Sequence, residues 1–234
     1  SPDDEHLFKK LLGDGKQLGL SISFRQQKIP TGIPEAFTLC SDFIGKERVT
    51  LILGDNIFFG DELANMISSL SELHERASIL AYQVNDPQRY GVVNFDNHGK
   101  IKSLEEKPLK PKSKYAITGV YFVDHEAIDF TKSLKPSARG ELEIIDVLKQ
   151  YFQNNKLDVQ IMGRGMAWLD TGTHFSLLEA SQFISVLEKR QGLKIGCLEE
   201  IAFSKSWIVE EQILASAKLY NNEYGEYLRN LIKP

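Results

Sequence analysis

Two aspartates stand where α/β proteins do their chemistry. In residues 49–60, VTLILGDNIFFG, a short β-branched apolar run stops at Gly54 and the next residue is Asp55. The carboxyl end of a buried strand is where open α/β sheets hold ligands, and a carboxylate placed there can hold a divalent cation against phosphates. Asp170, in WLDTGT at 168–173, repeats the pattern: a strand-end acid, a glycine turn, and Thr173 placed to cap the following helix. Two carboxylates at loop ends can share one Mg²⁺ bound to a triphosphate, because Mg²⁺ prefers oxygen ligands and keeps phosphate oxygens in its shell. Lys107, in LEEKPLKPKS at 104–113, and Arg139 could neutralise a second phosphate, the lysine as a point charge and the arginine as a planar fork. In QQKIPTGIPEAF at 26–37, Gly32 could let a backbone amide approach a flat ligand. The set describes phosphoryl or nucleotidyl transfer. Each piece also has a bland reading: Asp55 and Asn56 capping the turn into a helix near Asp61, a plain turn around Gly32, a solvated loop around Lys107, a capping Thr173.

The elements that must position these residues read as α/β. Ser1 as N-cap, Pro2 at the first helical position and Asp3 and Asp4 in the first turn open a helix that Gly13 and Gly15 end. Alternation predicts a strand at 20–24. An apolar strand at 49–53, a helix at 61–75 and a second apolar strand at 79–84 argue for parallel pairing through crossover helices. Residues 91–95 and 100–104 flank a turn and read as a β-hairpin. A strand at 116–123 runs into Asp124, which caps a short helix. A helix at 142–152, a strand at 157–163, a long helix at 173–190 and a helical tail at 208–232, broken at Asn221 and Asn222, complete the chain. No repeat or linker divides it, which predicts one domain over 1–234 with a helical appendage from about 173.

With 234 residues, 42% hydrophobic and 26% charged, the chain can bury a sizeable core. A formal charge of -4 and the absence of a basic run leave no footprint for polymeric nucleic acid. No apolar run approaches the roughly 20 residues a bilayer needs and no signal segment opens the chain, so it reads as cytoplasmic, without a membrane partner. Cys40 and Cys197 lack metal-ligand spacing and read as packing thiols.

The strings LGDNIFFG, RYGVVNFD, LEEKPLKPKSKYAITGVYFVD, SARGELEIIDV, WLDTGT and RQGLKIGCLEEIAF, in this order, closely resemble the bacterial glucose-1-phosphate thymidylyltransferases, over almost the whole chain. The resemblance implies a three-layer α/β/α sandwich around a mixed, mostly parallel central sheet, and a homotetramer. It implies that Asp55 and Asp170 hold Mg²⁺, that Gln27 and Gly32 read the thymine edge, and that Gly91, Glu106 and Ile117 contact the glucose ring. Lys107 is implied on the sugar phosphate, with Arg139 assisting. The reaction so implied is direct displacement on the α-phosphorus of dTTP by glucose 1-phosphate, giving dTDP-glucose for dTDP-rhamnose synthesis.

The family's opening strand and glycine-rich phosphate loop, ending in a Thr-Arg pair, have no counterpart here. The chain alone is therefore expected to be inactive and the natural protein to carry a further N-terminal segment, its sheet here lacking its first strands. Pro34 and Glu35 replace the family's usual Ala and Gln beside the base-reading turn, and Ser204 replaces an Arg tied to regulation by dTDP-rhamnose. Two alternatives stay open: a nucleotidyltransferase for another base or sugar, and a non-catalytic sugar-nucleotide binding subunit.

Overall fold

The computed structural model describes residues 3–73 and 75–233. The chain forms two compact units, Ile29–Ser181 and a second made of Ser1–Lys28 with Gln182–Pro234. In chain order the elements are α1 (Glu5–Leu12), α2 (Glu35–Leu39), α3 (Ser41–Ile44), β1 (Val49–Ile52), β2 (Asn56–Phe59), α4 (Leu63–Ser71), β3 (Ala77–Gln83), β4 (Gly91–Phe95), β5 (Ile101–Glu106) and β6 (Tyr115–Val123). They continue with α5 (Glu126–Ser133), α6 (Ile144–Gln153), β7 (Leu157–Ile161), β8 (Ala167–Asp170), α7 (His174–Gln191), α8 (Leu198–Ser204), α9 (Glu210–Lys218) and α10 (Glu223–Asn230).

The larger unit is built on a sheet in the order β5-β4-β6-β3-β7, with β1 also paired to β6. Helices flank this mixed sheet on both faces, the α/β arrangement expected from the sequence. The strand β6 explains how a mixed sheet arises. It runs antiparallel to β1, β3 and β4, while β3 and β7 are parallel and β5 is antiparallel to β4. β1, β3, β4 and β7 therefore share one direction, but because β6 is inserted among them the parallel hydrogen-bonded pair among the described residues is β3 with β7.

Both faces of β6 are covered, which is why it reads as a continuous apolar run. Successive side chains of a strand point to opposite faces. Ile117, Tyr121 and Val123 accordingly enter the core beneath α2, α3, α5 and α6 with Phe37, Leu148 and Tyr151. Ala116, Val120 and Phe122 enter the other core, with Met66 and Leu70 of α4 and Trp168 of β8. The smaller unit has its own core, in which Leu18, Cys197, Ile213, Ala217 and Leu228 are buried.

Several expectations change in the structure. Residues 20–24 form no strand: their backbone bonds to the turn before them, Leu20 N–H to Gly15 O and Ile22 N–H to Asp14 O, and alternation without a partner strand leaves extended chain. The stretch after Asp55 is not a helix-capping turn. Asn56 begins β2, which forms a separate two-stranded ribbon with β8, and the following helix starts at Leu63 and ends at Ser71, inside the expected 61–75. A helix, α8, precedes the expected tail, which does break at Asn221 and Asn222 between α9 and α10. The capping roles read for Ser1 and Pro2 lie outside the described residues; Gly13, at φ 56°, ends α1 as expected. The hairpin of β4 and β5 forms, and Asp124 accepts from the Glu126 N–H at the start of α5. Both cysteines are free thiols.

Candidate active site

The strands β1 and β4 share one edge of β6, and the gap between them opens the site. β1 pairs with residues 120–123 of β6, and β4 pairs with Tyr115 and Ala116. Opposite the gap lie Ile117, Thr118 and Gly119; β1 ends on one side of it just before Leu53, whose N–H bonds to Gly119 O, and β4 begins on the other side at Gly91. A cavity of about 420 Å³ fills this space. It is lined by Asp55, Gly91, Glu106, Lys107, Ile117, Arg139 and Asp170, residues drawn from six separate stretches of sequence.

The β2–β8 ribbon brings the two aspartates together. Asn56 lies directly opposite Asp170 in its register. The Asp55 carbonyl accepts from both the N–H (2.9 Å) and the Oγ1 (2.8 Å) of Thr171, so the two loop ends are tied main chain to main chain. A methyl group added at Gly172 would meet Asp170 Oδ1 at 3.1 Å and Asp55 Oδ2 at 3.7 Å, so both carboxylates face the same small space. Asp170 also accepts from the Gly172 N–H (3.1 Å). Arg89 reaches Asp170 at 3.4 Å while holding Asp86 at 3.0 Å.

On the far side of the gap, Glu106 and Lys107 close β5. Lys107 has φ 40°, a left-handed conformation that an L side chain adopts at a cost of about 1–2 kcal/mol. Its N–H is held by the Tyr90 carbonyl at 3.0 Å, which pins the end of the hairpin to the RYG turn. Gly91 lacks a side chain for a packing reason: a Cβ there would lie 2.6 Å from Ile145 Cδ1 of α6. Burial, with Glu143 nearby, raises the Glu106 carboxyl above its ordinary range against the pull of Lys107 and Arg139.

Arg139 reaches the cavity already engaged. Its guanidinium donates to Glu143 at 2.7 and 3.1 Å and to Glu106 at 3.3 Å, with Glu141 at 3.7 Å. Although burial works against it, bonds from Arg139 and Ser137 hold Glu143 below the usual carboxylate range. These contacts use its Nε and Nη2, and the guanidinium carries two further N–H donors on Nη1 that could meet a phosphate.

The two residues that the resemblance implies for base reading fall in different units. Gly32, at φ 121°, packs on the Leu142 backbone, which lines the cavity, while Gln27 belongs to the other compact unit. Four residues of the site were not singled out by sequence: Asn56, Arg89, Glu143 and Trp168. Asn56, Arg89 and Trp168 lie within two residues of a chosen one, inside LGDN, RYGVV and WLDTGT, and Glu143 lies four residues after Arg139 in SARGELE, so proximity in the motif was the available signal. A second cavity, about 960 Å³, adjoins the first and shares Arg89, Tyr90, Trp168 and Asp170 with it. There Trp168 meets Tyr90 edge-on at 5.0 Å, and burial pushes the Tyr90 phenol up to about 12.

Such a site can neutralise and orient anions. It presents two adjacent acids for a cation, a lysine for an anion, and a buried acid beside main-chain groups for hydroxyls. The comparisons with known proteins agree. The nucleotidyl transferase family model matches residues 1–186. A glucose-1-phosphate thymidylyltransferase of Neisseria meningitidis is 47% identical over 234 residues, 100% of this chain and 81% of that protein. One of Mycobacterium tuberculosis is 45% identical, again over 100% of this chain and 81% of the relative. A solved Bacillus anthracis structure assigned as a glucose-1-phosphate thymidylyltransferase, in complex with sucrose, superposes with a TM-score of 0.71 at 39% identity, covering 83% of this chain and 75% of that one. At 22% identity a UDP-glucose pyrophosphorylase shares the fold, with a TM-score of 0.63 over 71% of this chain and 66% of that one. The chain is therefore a nucleotidyltransferase enzyme belonging to the glucose-1-phosphate thymidylyltransferase family.

Proposed function

We propose that the protein transfers a thymidylyl group from dTTP to glucose 1-phosphate, releasing pyrophosphate and dTDP-glucose, and that it does so with Mg²⁺ for dTDP-rhamnose type sugar synthesis. The observation that carries this reading is the convergence of Asp55, Asp170, Lys107 and Glu106 on one cavity at the split edge of β6. The donor set suits Mg²⁺. Asp55 and Asp170 supply carboxylate oxygens from adjacent loop ends, and among the described residues no cluster of three or more His, Cys, Asp or Glu side chains forms a metal site. A cation held by two carboxylates completes its shell with water and phosphate oxygens, which is how Mg²⁺ is usually bound beside a triphosphate. When bound it would draw charge from that triphosphate.

The chain's own residues then have distinct tasks. Lys107 holds the attacking phosphate of the sugar as a point charge. Glu106, Gly91 and Ile117 orient the glucose ring, the glutamate through its side chain and the other two through main-chain groups. Gly32 reads the thymine through its backbone. Arg139 keeps Glu106 and Glu143 in place through Nε and Nη2 and offers Nη1 to phosphate when substrate arrives. The nucleophile is already an anion, so positioning and charge neutralisation suffice and no general base is needed. The working assembly is a homotetramer.

The test is product formation. Protein carrying this chain, given Mg²⁺, glucose 1-phosphate and a panel of dTTP, UTP, ATP and GTP, should make dTDP-glucose fastest, and Asp170→Asn should lower the rate at least about a hundredfold without loss of fold. Unchanged turnover in Asp170→Asn would remove the metal assignment, and preference for another nucleotide would remove the thymidylyl one. Binding of dTDP-glucose without turnover would favour a binding subunit.

A further inference from the structure

We propose that Asn56 is the positioning residue of the acidic pair: its side-chain amide aims the Asp55 carboxylate and, being neutral, keeps the pair at two negative charges, so that a divalent cation is held firmly only together with a triphosphate. The proposal rests on the metal reading given above and goes beyond it by naming what sets the geometry and charge of that site.

The argument begins with an amide that cannot turn over. Asn56 Oδ1 accepts from the Trp168 Nε1–H at 2.6 Å and from the Gly119 N–H at 3.0 Å. Both partners are donors only, so the atom facing them must be the oxygen. The NH₂ is thereby forced to the other side, where it donates to Asp55 Oδ1 at 2.7 Å. One amide thus joins β2, β8, the centre of β6 and the first acid of the site. The approach to β6 is possible because residue 119 is glycine: a Cβ there would lie 2.6 Å from Asn56 Oδ1 and 2.7 Å from its Cγ.

The consequence is electrostatic as well as geometric. Outer partners that orient a metal-binding group commonly change metal affinity about tenfold to a hundredfold when altered, and ligand charge count tunes affinity further. An aspartate at 56 would keep one oxygen for Trp168 and Gly119 and change only the atom facing Asp55, from a donor into a third anionic oxygen.

The variant Asn56→Asp tests this directly, with Mn²⁺ as the probe and its binding followed by electron paramagnetic resonance at pH 8. Mn²⁺ alone should bind Asn56→Asp at least about tenfold more tightly than wild type, with the thermal midpoint within a few degrees. Equal or weaker binding by the folded variant overturns the proposal. If the variant does not fold, wild-type protein decides. The sequence has two tryptophans, Trp168 and Trp207. On addition of Mg²⁺ with dTTP, the Trp168 indole N–H resonance should shift and that of Trp207 should not; bound Mg²⁺–dTTP with an unmoved Trp168 resonance overturns the proposal. Wild type that binds no Mn²⁺ even with dTTP, Asp170→Asn being no different, would instead sink the metal reading itself.

Discussion

Lys107 combines a strained backbone with a place in the cavity wall. Its left-handed backbone would suit glycine, yet the position holds a lysine whose ammonium faces the cavity wall shared with Glu106 and Arg139. Strain tolerated at such a point is typical of residues that surrounding structure over-determines. Thermal melts should place Lys107→Gly above Lys107→Ala by about 1 kcal/mol, because only alanine pays for the left-handed conformation, while both lose dTDP-glucose formation by about a hundredfold or more. Equal stability of the two would show that the backbone relaxes there. Glu106 makes a second prediction, in pH. A carboxyl whose folded pKa is raised binds its proton more tightly in the folded state, so it weakens folding as pH rises from the ordinary glutamate value through the raised one. Glu106→Gln should therefore raise the midpoint at pH 7 and gain less at pH 4, below the ordinary glutamate value, where the carboxyl is largely protonated in both states. An equal gain at both pH values would place the cause in packing rather than charge. Asp55, Asp170 and Lys107 were legible as candidates from residue type and motif, whereas the pairing of Arg139 with Glu106 was not, because side-chain pairing across 33 residues leaves no trace in local spacing.

At the scale of elements, the loops that frame the cavity are set by close backbone approaches. Thr31 O accepts from the Leu142 N–H at 2.7 Å, and Gly32 lies so near that a Cβ would fall inside the Leu142 backbone. Gly32→Ala should cost about 2–3 kcal/mol, from a positive φ together with overpacking, measured by urea denaturation. A cost under about 0.5 kcal/mol would mean that the loop gives way freely. Helix α6 is docked by a buried polar tie, the Tyr151 hydroxyl donating to Asp124 Oδ1 at 2.6 Å at the end of β6. The same helix presents Ile145 to Gly91, and its N-cap residue Glu143 meets Arg139, so one docked element serves two sides of the site. Helix and hairpin identities were legible because their periods of 3.6 and 2 are local; the β2–β8 ribbon was not, since its paired residues are far apart in sequence, Asn56 lying opposite Asp170.

For the whole molecule, two compact units with separate cores imply two reporters. Trp168 lies in the larger unit and Trp207 in the smaller. Ile213 and Leu148, both fully buried, anchor the smaller and larger cores respectively. Each changed to alanine should lose about 2–5 kcal/mol. In single-tryptophan backgrounds, Ile213→Ala should move the Trp207 unfolding transition and Leu148→Ala that of Trp168. Identical shifts of both signals by either change would show one cooperative fold instead. No helix among the described residues is long and apolar enough to cross a membrane, as the short apolar runs in the sequence already indicated.

By itself the sequence determined the element types along most of the chain, the α/β class, and the two acids and the lysine that name the chemistry, because propensity, periodicity and motif are written in neighbouring residues. Only the tertiary structure decided that β6 lies antiparallel among its neighbours and that β1 and β4 leave a gap along its edge. It alone decided that Asp55 and Asp170 meet through a ribbon closed by Asn56. These depend on which distant strands pair once apolar surface is buried on both faces, a choice made by packing over the whole unit rather than by any local run of residues.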